Sequence, residues 1–329
     1  MSFQKGALPS RLEYFVLDVF SARRLEGNPL AVFLNPGHLT TEQMQAIARE
    51  TNLSETVFVE RRSLQIEHRE GIRTRIFTTQ EELPFAGHPT LGTASLLRHL
   101  APECMVQDTV RLALKVGPIH VKFPPDSQAS WPVYGEMTQR DPEFGPVLDT
   151  PEVAALTGLP VDTFDPDHST QIVSTGTAFA IVPLRSADAL AHVKVLQAEA
   201  RAYLRAHGAR WFYILGPSSA AHRSESSMTT TATTGQVIWQ ARMQFEGGED
   251  PATGSAAGCA ISYLVRHGVI APNSQVHLRQ GIEIHRPSDI FVRADLVIGS
   301  ETLASKSLVT NVRVGGSTVL VATGHFFLP

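Results

Sequence analysis

The chain has 329 residues, more than one ordinary domain needs, and suits two domains of about 165 each. Hydrophobic residues make up 43% and charged residues 18%, with a formal charge of -4. This is the composition of a globular protein, and it lacks the basic surplus that nonspecific nucleic-acid binding requires. No apolar run of about 18 residues occurs, so no segment reads as a membrane span. Two cysteines, Cys104 and Cys259, are too few for a disulfide framework or a four-cysteine zinc site. Met1 to Arg11 lacks the apolar core and small-residue cleavage pattern of a secretory signal, so a reducing cytoplasm is the expected compartment.

In chain order, Tyr14 to Phe20 and Leu30 to Leu34 read as strands, the second entered through Gly27-Asn28-Pro29. Thr40-Thr41-Glu42-Gln43 resembles a capping box, and Met44, Ile47 and Ala48 fall at helical spacing, predicting a helix to about Thr51. Glu55 to Glu60 returns as a strand, Arg73 to Thr78 is another, and Thr79 to Gly87 is a loop. Leu91 to Leu100 is apolar nearly all round, which predicts a buried helix. Residues 124 to 170 are rich in Pro, Asp and Gly and read as a long connection carrying one short helix near Glu152 to Thr157. Strands follow at Gln171 to Ser174, Ala178 to Leu184 and Trp211 to Leu215, with a helix around Ala187 to His207. Ser218 to Thr234 is a Ser/Thr-rich tract read as a loop. Val237 to Phe245 is a strand, and Ser255 to His267 is a second small-residue, apolar helix.

The most informative feature is an internal repeat. His88-Pro89-Thr90-Leu91-Gly92-Thr93-Ala94 and Asp250-Pro251-Ala252-Thr253-Gly254-Ser255-Ala256 share the pattern x-Pro-x-x-Gly-(Ser/Thr)-Ala, 162 residues apart, close to half the chain. Gly27 to Leu34 has a looser echo in Gly176 to Leu184. Duplication predicts two similar lobes, each built on a central helix, with a cleft between them.

A proline at the first helical position would put His88 and Asp250 at N-caps. For Asp250 the structural reading is a carboxylate capping backbone N–H groups. The functional reading uses the same geometry: free N–H groups and the helix dipole make each start an anion site, and two of them facing each other could hold a small carboxylic acid. Thr93, Thr253 and Ser255 add hydroxyl donors. Gly87 to Thr93 reads as a P-loop without its lysine, and no Gly-x-Gly-x-x-Gly follows a strand, so neither nucleotide motif is supported. The thirteen histidines include no His-x-x-x-His pair, and no metal is expected. Glu55 opens a strand that enters the core. It is either a surface glutamate at a strand start or a partly desolvated carboxyl whose raised pKa suits it to move protons near neutrality.

Together the motifs resemble the phenazine-biosynthesis PhzF-like family, whose fold is that of diaminopimelate epimerase. The resemblance spans nearly the whole chain. It is carried by Gly27-Asn28-Pro29-Leu30-Ala31-Val32, Asn52-Leu53-Ser54-Glu55-Thr56, Arg75-Ile76-Phe77-Thr78 and Leu83-Pro84-Phe85-Ala86-Gly87-His88-Pro89-Thr90-Leu91-Gly92. In the second half it rests on Ala241-Arg242-Met243, Glu249-Asp250-Pro251-Ala252-Thr253-Gly254-Ser255-Ala256, Gln280-Gly281 and Arg286-Pro287-Ser288. It implies an α+β fold of two pseudo-symmetric lobes, each a curved, mostly antiparallel sheet wrapped around a central helix. We expect an N-terminal lobe over 1–145, a C-terminal lobe over 146–311, and a strand over 312–329 that can return to the first lobe.

The resemblance further implies a cofactor-independent isomerase acting on a small cyclic or unsaturated carboxylic acid, as trans-2,3-dihydro-3-hydroxyanthranilate isomerase does, and working as a homodimer. It carries catalytic proton transfer onto Glu55 and supporting roles onto His88, Asp250 and Ser255. Asn28, Gly87, Gly92, Thr93, Thr253 and Gly254 are then the substrate-binding residues. Epimerases of this fold place a cysteine at each helix start. Here His88 and Asp250 stand there, and Cys104 and Cys259 lie sixteen and nine residues further on, down their helices. Thr79-Gln80 departs from the family's usual proline after Phe-Thr. The alternatives are an epimerase working without thiols and a non-catalytic small-acid-binding or interaction protein.

Overall fold

The structure is a computed structural model that describes residues 11–37, 39–125, 130–218, 237–297 and 308–328. Its contacts divide the chain into two compact units: residues 1–25, 29–135 and 318–329 form one, and 26–28 with 136–317 form the other.

The first unit contains β1 (Arg11–Val19), β2 (Asn28–Leu34, from Pro29 onward), α1 (Thr41–Thr51), β3 (Glu55–Glu60), α2 (Leu64–Glu70), β4 (Ile72–Phe77), β5 (Glu82–Leu83), α3 (Gly87–Leu100), β6 (Thr109–Leu114), β7 (Gly117–Lys122) and the start of β8 (Val133–Thr138). The second contains β9 (Glu143–Val147), α4 (Thr150–Thr157), β10 (Gln171–Ser174), β11 (Ala178–Pro183), α5 (Gln197–His207), β12 (Trp211–Pro217), β13 (Val237–Arg242), β14 (Gln244–Phe245), β15 (Gly248–Glu249), α6 (Gly254–Arg266), β16 (Val276–Gln280) and β17 (Ser288–Val297). The long β18 (Leu308–Phe327) gives its second half to the first unit, where residues 318–327 run antiparallel to β1.

In the first unit the strand order β1-β2-β3-β4-β6-β7-β8-β18 closes on itself through the β1–β18 pairing. Closure leaves no open edge. Helix α3 packs against β1, β3, β6 and β7, and every residue from Gly87 to Arg98 is buried. A helix apolar on all sides needs such an enclosure, and full burial of Leu91, Leu96 and Leu97 stabilises by roughly 1.5–3 kcal/mol each. Gly92 lets α3 approach the sheet: a Cβ there would lie 2.6 Å from Val19 Cγ2 and 2.7 Å from Leu30 Cδ2. On the other side, α1 sets Met44, Ile47 and Ala48 against Phe33, Phe58 and Phe77. Its capping box is present as expected. Gln43 N–H donates to Thr40 Oγ1 at 3.3 Å, and Thr40 N–H donates to Gln43 Oε1 at 2.9 Å.

In the second unit the sheet order is β18-β17-β16-β13-β12-β11-β10-β9, and α6 packs against β10, β11 and β17. A separate layer of α4 and α5 buries Val153, Ala154, Ala200 and Leu204 with Phe212 and Ile214.

Several sequence expectations need correction. The stretch read as a connection over 124–170 carries β8 and β9 as well as the short helix, because Pro and Asp mark turns between short strands as readily as a linker. The helix expected over Ala187 to His207 is a 3₁₀ turn at Ala187–His192 followed by α5. Helix α2 and strand β5 lie where none was expected. The two repeat copies also start their helices differently. Helix α3 begins at Gly87 with Ala86 as N-cap, so His88 lies inside its first turn; α6 begins only at Gly254 with Thr253 as N-cap. Neither His88 nor Asp250 caps a helix. Cys104 lies past the end of α3, in a 3₁₀ turn at Pro102–Cys104. Most of the Ser218 to Thr234 tract lies outside the described residues.

Candidate active site

Helix α1 ends on Asn52 in the left-handed conformation (φ 51°), which asparagine tolerates, and the chain turns directly into β3. The Thr51 and Thr56 hydroxyls meet at 2.7 Å and close this turn. Glu55 is therefore the first residue of β3, paired in parallel with Leu30 of β2. Its side chain is 16% exposed, and Oε2 lies 3.5 Å from His88 Nε2.

His88 is almost fully buried, and burial pushes its imidazole down to about 3, with a hydrogen bond to the Pro29 backbone opposing the shift. Proline has no N–H, so Pro29 can only accept through its carbonyl. Nε2 has no hydrogen-bond partner among the described residues, so the donor is Nδ1–H. The imidazole at neutral pH is thus the uncharged Nδ1–H tautomer, with the Nε2 lone pair turned toward Glu55. The Glu55–His88 contact is not an ion pair at that pH.

In the second unit, Asn28 is fully buried and its Nδ2 donates to Asp250 Oδ1 at 2.7 Å and to the Ala252 carbonyl at 2.9 Å. Arg286 fixes the preceding residues by donating to the carbonyls of Gly27 (2.9 Å) and Glu26 (3.0 Å). The Thr253 hydroxyl donates to Asp250 Oδ2 at 2.7 Å. Burial pushes the Asp250 carboxyl up to about 6, against the Thr253 and Asn28 hydrogen bonds, which lower it. A buried bidentate pair, Arg242 to Glu249 at 2.6 and 2.9 Å, steadies the chain just before Asp250.

The expected residues thus gather within each unit: Glu55 with His88 in the first, and Asn28, Asp250 and Thr253 in the second. Gly87 opens α3, and Thr93 lies one turn further, its Oγ1 buried without a hydrogen-bond partner among the described residues. Asn28 Oδ1 is in the same state. Gly92 serves the packing of α3 on the sheet, where a Cβ would meet Val19 and Leu30. Gly254 opens α6 and its carbonyl accepts from Gln139 Nε2 at 2.9 Å; Ser255 follows, half-buried, in the first turn. Residue-level reading gave no role to Gln280 or Tyr213, which stand directly behind Asp250. The pair Gln280-Gly281 at a strand end was the available signal. Cys104 and Cys259 are buried, and burial pushes both thiols up to about 11, far from the reactive range. Among the described residues no three His, Cys, Asp or Glu side chains gather as metal ligands, and no helix is long and apolar enough to cross a membrane.

The mixed helix–sheet fold with its sheet-rich core has structural neighbours among solved epimerases. A hydroxyproline epimerase from Agrobacterium vitis overlays with a TM-score of 0.57 at 11% identity, covering 97% of this chain and 93% of that one. A predicted epimerase from Pseudomonas aeruginosa overlays with a TM-score of 0.75 at 32% identity, covering 97% of this chain and all of the other. Residues 17–324 match the family model for PhzC-PhzF, phenazine biosynthesis-like protein. The trans-2,3-dihydro-3-hydroxyanthranilate isomerase of Pseudomonas chlororaphis is 33% identical over 318 residues, 96% of this chain and 99% of its own. The chain belongs to the phenazine biosynthesis-like protein family and is an isomerase.

Proposed function

We propose that this isomerase moves a proton along a small cyclic or unsaturated carboxylic acid without a cofactor, with Glu55 as the group that carries it. The observation that supports this most is the uncharged imidazole of His88 beside the Glu55 carboxyl. Glu55 in its carboxylate form takes a proton from an activated carbon, and the substrate becomes a conjugated enol or dienol. In its acid form Glu55 has the Nε2 lone pair as a hydrogen-bond acceptor, which orients the proton until it returns to a different carbon. A cationic imidazole there would instead favour the carboxylate and hold back the return step.

Asp250 and Ser255 support the chemistry. We assign binding of the acid to Asn28, Gly87, Gly92, Thr93, Thr253 and Gly254. The relative at 33% identity makes trans-2,3-dihydro-3-hydroxyanthranilate the first substrate to test. The family resemblance adds a homodimer, and the sparse cysteines add the cytoplasm, to the same proposal.

The test is turnover of that compound in D2O, followed by NMR. Solvent deuterium incorporated at a carbon other than the one that lost its proton supports isomerisation, and unchanged turnover by Glu55→Gln refutes the assignment of Glu55. An epimerase working without thiols is the second reading, favoured by the overlay with the predicted epimerase from Pseudomonas aeruginosa. Exchange with inversion at a single carbon would establish it.

A further inference from the structure

Behind the Asp250 carboxylate lie two buried polar side chains, Gln280 and Tyr213, that the proposed chemistry leaves unused. Gln280 ends β16 fully buried, and Gly281 follows with φ +77°. A Cβ on Gly281 would collide with the Arg286 carbonyl and the Pro251 backbone, so only glycine brings this strand end so close to the Asp250-Pro251 segment. Gln280 Nε2 donates to the Asp250 backbone carbonyl at 2.8 Å and to Thr253 Oγ1 at 2.9 Å. Gln280 Oε1 accepts from Thr253 N–H at 3.1 Å and from the Tyr213 hydroxyl at 3.0 Å.

These partners fix every proton. A carbonyl can only accept and a backbone N–H can only donate, so the Gln280 amide has one orientation. The Thr253 hydroxyl receives a proton from Gln280 and must turn its own toward Asp250 Oδ2, 2.7 Å away. Tyr213 is fully buried, which pushes its phenol well above the ordinary range and keeps it a donor.

We propose that Gln280, backed by Tyr213, is a positioning residue for Asp250: it sets the direction of the Thr253 hydroxyl and thereby the hydrogen bonding of the second carboxylate oxygen. The inference rests on Asp250 being part of the site. Without Gln280 the Thr253 hydroxyl rotates freely, Asp250 keeps only Asn28 as a fixed side-chain donor, and its proton affinity rises. The other ionisable groups acting on Asp250 are Glu249 from β15, itself paired with Arg242 of β13, and Tyr213 from β12; none of them depends on Gln280 for its charge.

The test is a carbon-13 NMR titration of the full chain labelled at aspartate carboxyls, with the Asp250 signal assigned by Asp250→Asn. Gln280→Leu and Thr253→Val should each raise the Asp250 midpoint by about one pH unit. The double variant should go no further than either single one, because both remove the same hydrogen bond. Tyr213→Phe, which deletes one oxygen, should shift the midpoint the same way by less, and it serves if Gln280→Leu does not fold. An unmoved midpoint in Gln280→Leu (or in Tyr213→Phe, should that be the folded variant), or fully additive shifts in the double variant, would overturn the proposal. Turnover of trans-2,3-dihydro-3-hydroxyanthranilate by Asp250→Asn is measured separately: full activity there removes Asp250 from the chemistry whatever the titration shows, so the two failures are distinct.

Discussion

The Nε2 atom of His88 lies 3.5 Å from Glu55 Oε2, while the opposite ring nitrogen is held by the carbonyl of Pro29. One end of β2, one end of β3 and the first turn of α3 are needed to make this arrangement, and it decides the charge of the histidine. The imidazole is neutral because it is buried, and it faces the carboxyl as an acceptor because Pro29 has claimed its only proton.

Glu55→Gln keeps the shape of the side chain and removes its ability to take a proton. Turnover should fall by about 10²–10⁴-fold while ligand binding survives. Steady-state kinetics together with calorimetric binding of a substrate analogue would check both halves of that expectation.

The depressed His88 imidazole makes stability depend on pH. Between the unfolded value of 6.5 and the folded value of about 3, the unfolded chain binds a proton that the folded chain does not. Stability therefore rises with pH across this window and is lost as the solution is acidified from 6.5 toward 3. His88→Gln should remove up to about 1.4 kcal/mol per pH unit of that slope. Urea unfolding of both proteins at several pH values measures it, and parallel slopes would contradict the buried neutral imidazole.

Gly92→Ala puts a methyl 2.6–2.7 Å from Val19 and Leu30 inside a closed ring of strands. Overpacking of this kind costs about 1–3 kcal/mol. A lower urea midpoint with an unchanged slope is expected, and an unaffected midpoint would show that α3 can shift.

Asn28→Asp sets a second carboxyl 2.7 Å from Asp250 Oδ1. Two carboxylates that close do not both ionise, so one of them holds its proton in the folded chain well above the unfolded value. The folded state then binds more protons than the unfolded one, and the variant should lose stability as pH rises from about 4 to 7. Thermal melts of variant and wild type across that range give the comparison, and a constant difference would count against the Asn28–Asp250 contact.

Local signals made several features legible. The capping box at Thr40 and Gln43 and the helical spacing of Met44, Ile47 and Ala48 located α1. The all-round apolar run marked α3 as buried, and the start of β3 at Glu55 was read correctly. The two copies of x-Pro-x-x-Gly-(Ser/Thr)-Ala each lie at or just before the start of a buried helix. The same pattern misled where local preference met distant partners. Asp250 has the sequence context of a helix cap, yet its two oxygens are taken by Thr253 and by Asn28, 222 positions away, and α6 starts later.

Periodicity, caps and turn residues act over a few positions, so the amino-acid order by itself marked the strongly patterned helices and strands and the repeat, while α2, β5, β8 and β9 carried too weak a local pattern to be read. It also marked Glu55, His88 and Asp250 as residues in unusual places. Tertiary structure alone decided their chemical states: that His88 is uncharged, which of its nitrogens bears the proton, and that Gln280 and Tyr213 stand behind Asp250. Protonation and hydrogen-bond direction follow from desolvation and from which donor meets which acceptor, and both are set by side chains brought together from distant strands.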